Sequence, residues 1–323
     1  MRVLIVKTSS MGDVIHTLPA LSDAAKQVPE IHFDWLVEEA FAEIPAWHAA
    51  VTTVIPVALR RWRKSVFSGN AWRELRDLVG SLRVHRYDCV IDAQSLIKSA
   101  VLTRLALGQR CGMDDASCRE PLAALAYQQK YHVSKKQHAI QRIRQLFEQA
   151  LNYKRQEASL DYGLNTFRWR AESHVRQSLV FVHSASRPEK LWPIQQWIHL
   201  GQIANQHGYA VLLLWGNENE RERAGIIADH IVDCELLPRM RLTSIVRLFQ
   251  QSTAVVAVDT GLSHLAAAIG VPAVTLYFQT SPRKIGTRGQ HQYHMTMTSS
   301  DAVSAADVWA KTMYAVASSQ CIR

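Results

Sequence analysis

An acid stands at residue 13, where a strand-to-helix loop ordinarily offers only backbone amides to a ligand. It lies in "VKTSSMGDVIHTLPAL" (6–21), directly after the apolar run Val3-Leu4-Ile5-Val6. Asp13 has two possible uses there. As a helix N-terminal acid it would stabilise by ~0.5–2 kcal/mol. As a general base at the mouth of a sheet it would contribute ~100- to 10,000-fold in rate. Ser9 and Ser10 already offer caps and Gly12 exposes the backbone just before the acid, so the local pattern admits both.

Two further loops carry groups suited to phosphate. In "VDTGLSHLAAAIG" (258–270) a buried strand ends, turns through Asp259-Thr260-Gly261 and enters a helix. Gly261 allows close approach to the backbone, and the free amides of the first turn carry partial positive charge. Ser263 and His264 share that turn, although a capped helix with a packed histidine would read the same way. In "HSASRPEKLWP" (183–193), Ser184 and Ser186 can donate hydrogen bonds and Lys190 supplies a compact positive charge. Two such loops in one half of the chain suggest a nucleoside diphosphate. A third strand end, "LWGNENERERA" (214–224), brings Glu218, Glu220 and Glu222 near that point. One of these carboxylates could accept hydrogen bonds from ribose hydroxyls; the others read as surface i,i+4 pairs.

The absences narrow the chemistry. No GxxxxGK[ST] or GxGxxG occurs, so neither a Walker loop nor the dinucleotide fingerprint is present. There is no DxD and no HExxH, and the 14 histidines do not cluster with carboxylates at ligand spacing. Cys89, Cys111, Cys118, Cys234 and Cys321 form no CxxC pair, which suits reduced thiols. A sugar transferase without DxD must stabilise its departing diphosphate with lysine, histidine and helix amides.

Positioning these groups requires strands that end together. Apolar strand candidates lie at 2–7, 33–37, 53–57 and 88–92, with helical patterns at 13–27, 71–84, 95–107 and 138–151. Residues 152–175 are polar and irregular, as in a linker. The alternation restarts with strands at 179–183, 209–215, 254–258 and 272–277. The helices between them are expected to open at Trp192-Pro193, at 218–231, at 242–251 and at Gly261 to about Ile269, with a last one at 301–319. This predicts an α/β protein of two doubly wound units, with the ligand in a cleft between them. At 323 residues the chain suffices for both cores. No apolar run is long enough to span a bilayer and the N-terminus does not read as a signal peptide, so a cytoplasmic location is expected.

The net charge of +9 is unevenly spread. Residues 44–73 contain no acid but hold Arg60, Arg61, Arg63, Lys64 and Arg73. Residues 121–147 repeat the pattern with Lys130, Lys135, Lys136, Arg142 and Arg144. Such runs attract phosphates, carboxylates, nucleic acid or an anionic membrane face. Aromatic residues do not interleave with the basic runs and no RNA-binding module is evident, so nucleic acid is not expected.

Taken together, "VKTSSMGDVIHTLPAL", "RRWRK" (60–64), "CGMDDASCREPLA" (111–123), "LWP" (191–193) and "VDTGLSHLAAAIG" resemble the ADP-heptose:lipopolysaccharide heptosyltransferases, and within them the heptosyltransferase I group. The resemblance covers nearly the whole chain. It implies a GT-B fold, two Rossmann-like domains facing across a cleft: residues 1–165 for the acceptor, 176–300 for the ADP-sugar, and a helix in 301–323 packing back on the first domain. It implies an inverting, metal-independent and cofactor-independent transfer of L-glycero-D-manno-heptose from ADP-heptose to Kdo of Kdo-lipid A. The enzyme would sit peripherally on the anionic cytoplasmic face of the inner membrane. Asp13 would be the general base. Lys190, Asp259, Thr260, Gly261 and His264 would hold the diphosphate side of the donor, Glu220 the ribose and Met240 the adenine. Arg60, Arg61, Arg63, Lys64 and Arg119 would bind the carboxylates and phosphates of the acceptor. The family's paired threonines are replaced by Ala185-Ser186, so a contact at Ala185 would fall to the backbone. A UDP-sugar transferase or epimerase of the same fold is the alternative enzyme, and a non-catalytic nucleotide- or anion-binding protein the alternative of another class.

Overall fold

The computed structural model describes residues 1–63, 69–155, 160–164, 177–278, 280–297 and 303–320. The chain divides into two compact units, Met1–Phe167 and Arg168–Arg323.

In the first unit six parallel strands, β1 (Arg2–Val6), β2 (His32–Glu38), β3 (Val51–Val57), β4 (Arg86–Asp92), β5 (Leu107–Met113) and β6 (Gln129–Tyr131), lie in the order β3-β2-β1-β4-β5-β6. Among the described residues the α-helices that connect and cover them are α1 (Met11–Ile15), α2 (Leu18–Gln27), α3 (Glu43–Ala46), α4 (Leu59–Trp62), α5 (Gly69–Arg83), α6 (Ile97–Leu105) and α7 (Ala139–Ala150). The single helix expected over 13–27 is two, because Pro19 in the first turn of α2 has no amide to continue α1. Strands β5 and β6 were not expected. "LGQRCGM" and "QKY" are polar and glycine-bearing, and β6 is an edge strand of three residues.

The second unit repeats the plan with β7 (Ser178–Val182), β8 (Ala210–Leu213), β9 (Cys234–Leu236), β10 (Ala254–Val258), β11 (Ala273–Tyr277) and β12 (Gln292–Thr296), all parallel, in the order β12-β11-β10-β7-β8-β9. Counted from its own first strand, each sheet has the order 3-2-1-4-5-6 of doubly wound dinucleotide-binding folds. The helices are α8 (Ile194–Gln206), α9 (Glu218–Ala228), α10 (Leu242–Gln251), α11 (Gly261–Ala268), α12 (Pro282–Ile285) and α13 (Ala305–Gln320). α8 begins just after Pro193, and Trp192 before it is core: its ring meets Trp197 edge-on at 5.1 Å. The last helix packs on α8, β10, β11 and β12 of its unit. It does so because Val308, Thr312, Ala315 and Val316 form one buried stripe. No described helix is long and apolar enough to cross a membrane.

Candidate functional site

In a doubly wound sheet the strand order reverses beside the first strand, and the loops leaving the two strands there diverge to make a crevice. In the first unit those strands are β1 and β4. Gln94, after β4, reaches back to β1: its Oε1 accepts from the Thr8 amide at 2.7 Å and from the Thr8 hydroxyl at 2.8 Å. Asp92, fully buried at the end of β4, accepts from the Gln94 and Ser95 amides and, at 2.7 Å, from the Tyr127 hydroxyl. Tyr127 gets there by lying on Gly112, where an added Cβ would stand 2.3 Å from its ring. Burial pushes the Asp92 pKa up although those bonds pull it down.

Asp13 sits in the first turn of α1 at this crevice, its side chain 27% exposed. Oδ2 accepts from the Ser10 amide at 3.1 Å and the Ser10 hydroxyl at 2.9 Å, a capping arrangement. Lys7 Nζ stands 3.9 Å from Oδ1 and an Arg119 guanidinium nitrogen 4.0 Å from Oδ2. Burial alone would raise the Asp13 pKa; Lys7, the Ser10 bonds and His16 outweigh it and hold the carboxyl at about 2. Lys7 is itself buried at the end of β1, donates to the Ala93 carbonyl at 3.0 Å, and has its pKa lowered by that burial. Sequence reasoning missed Lys7, Gln94, Asp92 and Tyr127. The one available signal was a lysine closing an otherwise apolar strand.

The basic run at 60–64 is partly spoken for. Arg60 lies over the Phe41 ring at 5.2 Å and its amide donates to Glu38. Arg61 pairs with Glu39 at 3.2 Å and Glu74 at 2.9 Å, acids from either side of the acid-free stretch. Arg63 follows α4 and is exposed, and Lys64 lies outside the described residues. In the other run Arg142 donates to the Ser117 carbonyl and Arg144 forms a two-pronged bridge to Asp23 at 2.6 and 2.9 Å, so both serve structure. Lys130, Lys135 and Lys136 are exposed.

In the second unit the corresponding strands are β7 and β10. The loop after β7 runs through half-buried Ala185 and exposed Ser186 to Lys190. Lys190 Nζ meets Asp259 Oδ2, at the end of β10, at 2.6 Å. The Thr280 hydroxyl donates to the same oxygen at 2.6 Å, and His264 Nε2 is 4.0 Å from the other. Thr260 is the N-cap of α11 and Gly261 its first residue, so the helix's amides open beside this ion pair. Glu220, in the first turn of α9, accepts from the Gly216 amide and the Asn217 side chain, each at 2.7 Å. Half-buried Met240 lies between β9 and α10. Thr280 was not expected, because its pattern marks nothing until the fold brings it to Asp259. Among the described residues no three His, Cys, Asp or Glu side chains are grouped to hold a metal ion.

Two doubly wound units of this strand order, with ligand-type loops at both reversal points, are the architecture of GT-B glycosyltransferases. The chain belongs to glycosyltransferase family 9, the heptosyltransferases, whose model matches residues 75–309. It is 48% identical over 294 residues to lipopolysaccharide heptosyltransferase 1 of Escherichia coli K12, covering 90% of this chain and 92% of that one. The solved structure of E. coli heptosyltransferase WaaC with ADP superposes with a TM-score of 0.93 at 44% identity, covering 98% of this chain and 100% of that one. WaaC with ADP-2-deoxy-2-fluoro heptose gives 0.88 at 44% identity, over 95% and 98% of the two chains.

Proposed function

We propose that this heptosyltransferase moves L-glycero-D-manno-heptose from ADP-heptose to Kdo of Kdo-lipid A, with inversion and with Asp13 as the base. The transfer would add the first heptose of the lipopolysaccharide inner core, at the cytoplasmic face of the inner membrane. The donor assignment is supported by the relatives, one of which was solved with ADP and again with an ADP-heptose analogue.

The observation that carries the base assignment is the geometry of the Asp13 carboxylate at the reversal point of the first sheet. The carboxylate is ionised at neutral pH, and its capping bonds use Oδ2. Oδ1 stands 3.9 Å from Lys7 Nζ, too far for a hydrogen bond to that lysine, and is the oxygen that would take the substrate hydroxyl's proton. Cap and base are thus compatible uses of one side chain. Asp13 takes the proton of the acceptor hydroxyl as its oxygen attacks the anomeric carbon from the face opposite ADP. The bond from that carbon to the diphosphate breaks, and its electron pair leaves with ADP. Lys190 and the amides opening α11 take up the departing charge, with Asp259 and Thr280 holding Lys190 in place and His264 alongside. Glu220 accepts from the ribose, Met240 packs the adenine, Ser186 and the Ala185 backbone line the donor loop. Arg60, Arg61, Arg63, Lys64 and Arg119 meet the acidic groups of the acceptor.

The test is ADP release from ADP-heptose and Kdo-lipid A in the presence of EDTA. Asp13→Ala, shown to be folded, is expected to lose about 100-fold or more of the wild-type rate. An equally active variant would reduce Asp13 to a cap. Wild-type activity that needs metal restored would overturn the metal-independent mechanism.

A further inference from the structure

Beside the Asp13 loop the first unit carries large apolar side chains on its surface. Ile97 and Val101, one turn apart on α6, are 46% and 57% exposed. Leu122 and Leu125, three apart on the 3-10 segment Pro121–Ala126, are 65% and 72% exposed. The two elements pack on each other; α6 buries Leu102 together with Ser99, Ala100 and Thr103, and the segment buries only Ala123, Ala124 and Ala126. Folding normally buries leucine and isoleucine, so four large apolar side chains left exposed on two elements that pack together mark a surface kept for contact.

The rim is cationic. Arg104 continues the stripe of Ile97 and Val101, and Lys98 and Arg119 flank it, all exposed. The nearby acid Glu120 is committed, its carboxylate accepting from the Ile97 amide at 2.6 Å. The face also adjoins the Asp13 loop: Lys98 Nζ is 3.3 Å from the Ser9 hydroxyl and Arg119 is 4.0 Å from Asp13.

We propose that α6 and the Pro121–Ala126 segment seat the protein on an anionic lipid bilayer. Leu122 and Leu125 enter the boundary between headgroups and acyl chains while Lys98 and Arg104 face lipid phosphates. The inference rests on the lipid-borne acceptor of the proposed function. A sugar attached to lipid A can present its hydroxyl to Asp13 only if the bilayer surface lies within a sugar or two of that loop, and this is the apolar face beside it. A second copy of the chain fits less well, because pairing the face with itself would oppose cations with cations.

The test is flotation of the full chain with vesicles, without donor or acceptor. Wild type is expected to bind phosphatidylethanolamine–phosphatidylglycerol vesicles, weakly bind phosphatidylcholine vesicles, and lose binding as salt rises. Leu122→Gln/Leu125→Gln, with an unchanged circular-dichroism melt, is expected to weaken binding about tenfold or more. Arg104→Gln, far milder for folding, is expected to weaken binding to the phosphatidylglycerol vesicles alone. Vesicle binding unaffected by either variant overturns the proposal. So does wild-type dimerisation in sedimentation velocity that the leucine variant abolishes. Because no turnover is read, binding by a protein that fails to glycosylate Kdo-lipid A would refute the acceptor and leave the membrane face standing.

Discussion

Asp13 is poised by charges that also set its limits as a base. With its pKa held at about 2 by Lys7 and Ser10 against the effect of burial, it stays ionised through the whole range in which the protein is used. The pH profile of kcat/KM is therefore expected to lack an acid limb from this group down to about pH 4; an inflection near 6 that disappears in Asp13→Asn would show that Lys7 and Ser10 do not hold the carboxyl low. Stability should behave differently. Burial depresses His48 and His183 from 6.5 to about 4, each fully enclosed, one in each unit. A histidine whose folded pKa lies below its unfolded value binds fewer protons when folded. Its neutral burial costs nothing above pH 6.5 and destabilises progressively as pH falls from 6.5 toward 4. Denaturant unfolding is expected to show a loss of roughly 1–3 kcal/mol per histidine over that interval, and His48→Gln should remove the share belonging to the first unit.

The elements that carry the site are held by local contacts with separable roles. At the start of α9 the Asn217 side chain accepts from the Glu220 amide, while the Glu220 carboxylate accepts from the Gly216 amide and the Asn217 side-chain nitrogen. Asn217→Ala is expected to cost about 1 kcal/mol of stability with little change in the KM for ADP-heptose. Glu220→Gln keeps a side chain that can fill the same capping position, so a rise in KM of about tenfold without a lower melting temperature would assign the carboxylate to the ribose. A KM equal to wild type would leave Glu220 as a cap. On β5, Gly112 gives Tyr127 the room to reach Asp92. Gly112→Ala should displace that ring, strip a buried carboxylate of its partner and lower stability by about 2–4 kcal/mol, measured by thermal unfolding.

At the scale of the molecule one topology is used twice, for different ends. The first sheet brings a carboxylate and a buried lysine to its reversal point; the second brings Lys190, Asp259 and the start of α11 to the same place. A nucleotide that binds the folded chain stabilises it, by about 2.7 kcal/mol at a hundred times its Kd. ADP is therefore expected to raise the melting temperature with or without EDTA, and UDP at equal concentration to leave it nearly unchanged. Equal shifts would favour a less selective nucleotide site than the one proposed.

The alternation of strands and helices was legible in the sequence because strands buried on both faces must be apolar along their length, as "RVLIV", "AVVAV" and "AVTLY" are. Asp13, Lys190 and the turn at 259–261 were legible for a related reason, since they sit where such a run stops and a helix starts. The strands that were not seen, β5, β6, β9 and β12, are short, polar or at the margins of their sheets, where less burial is demanded of them. Partners were hidden more deeply. Thr8 meets Gln94 86 positions away, Asp92 meets Tyr127 35 positions away, and Arg61 is paired with Glu39 and Glu74 from outside its own acid-free run. Local sequence sets which segments are strands, but in a parallel sheet adjacent strands come from distant segments. Which charge faces which was therefore decided only when the tertiary fold brought those strand ends together.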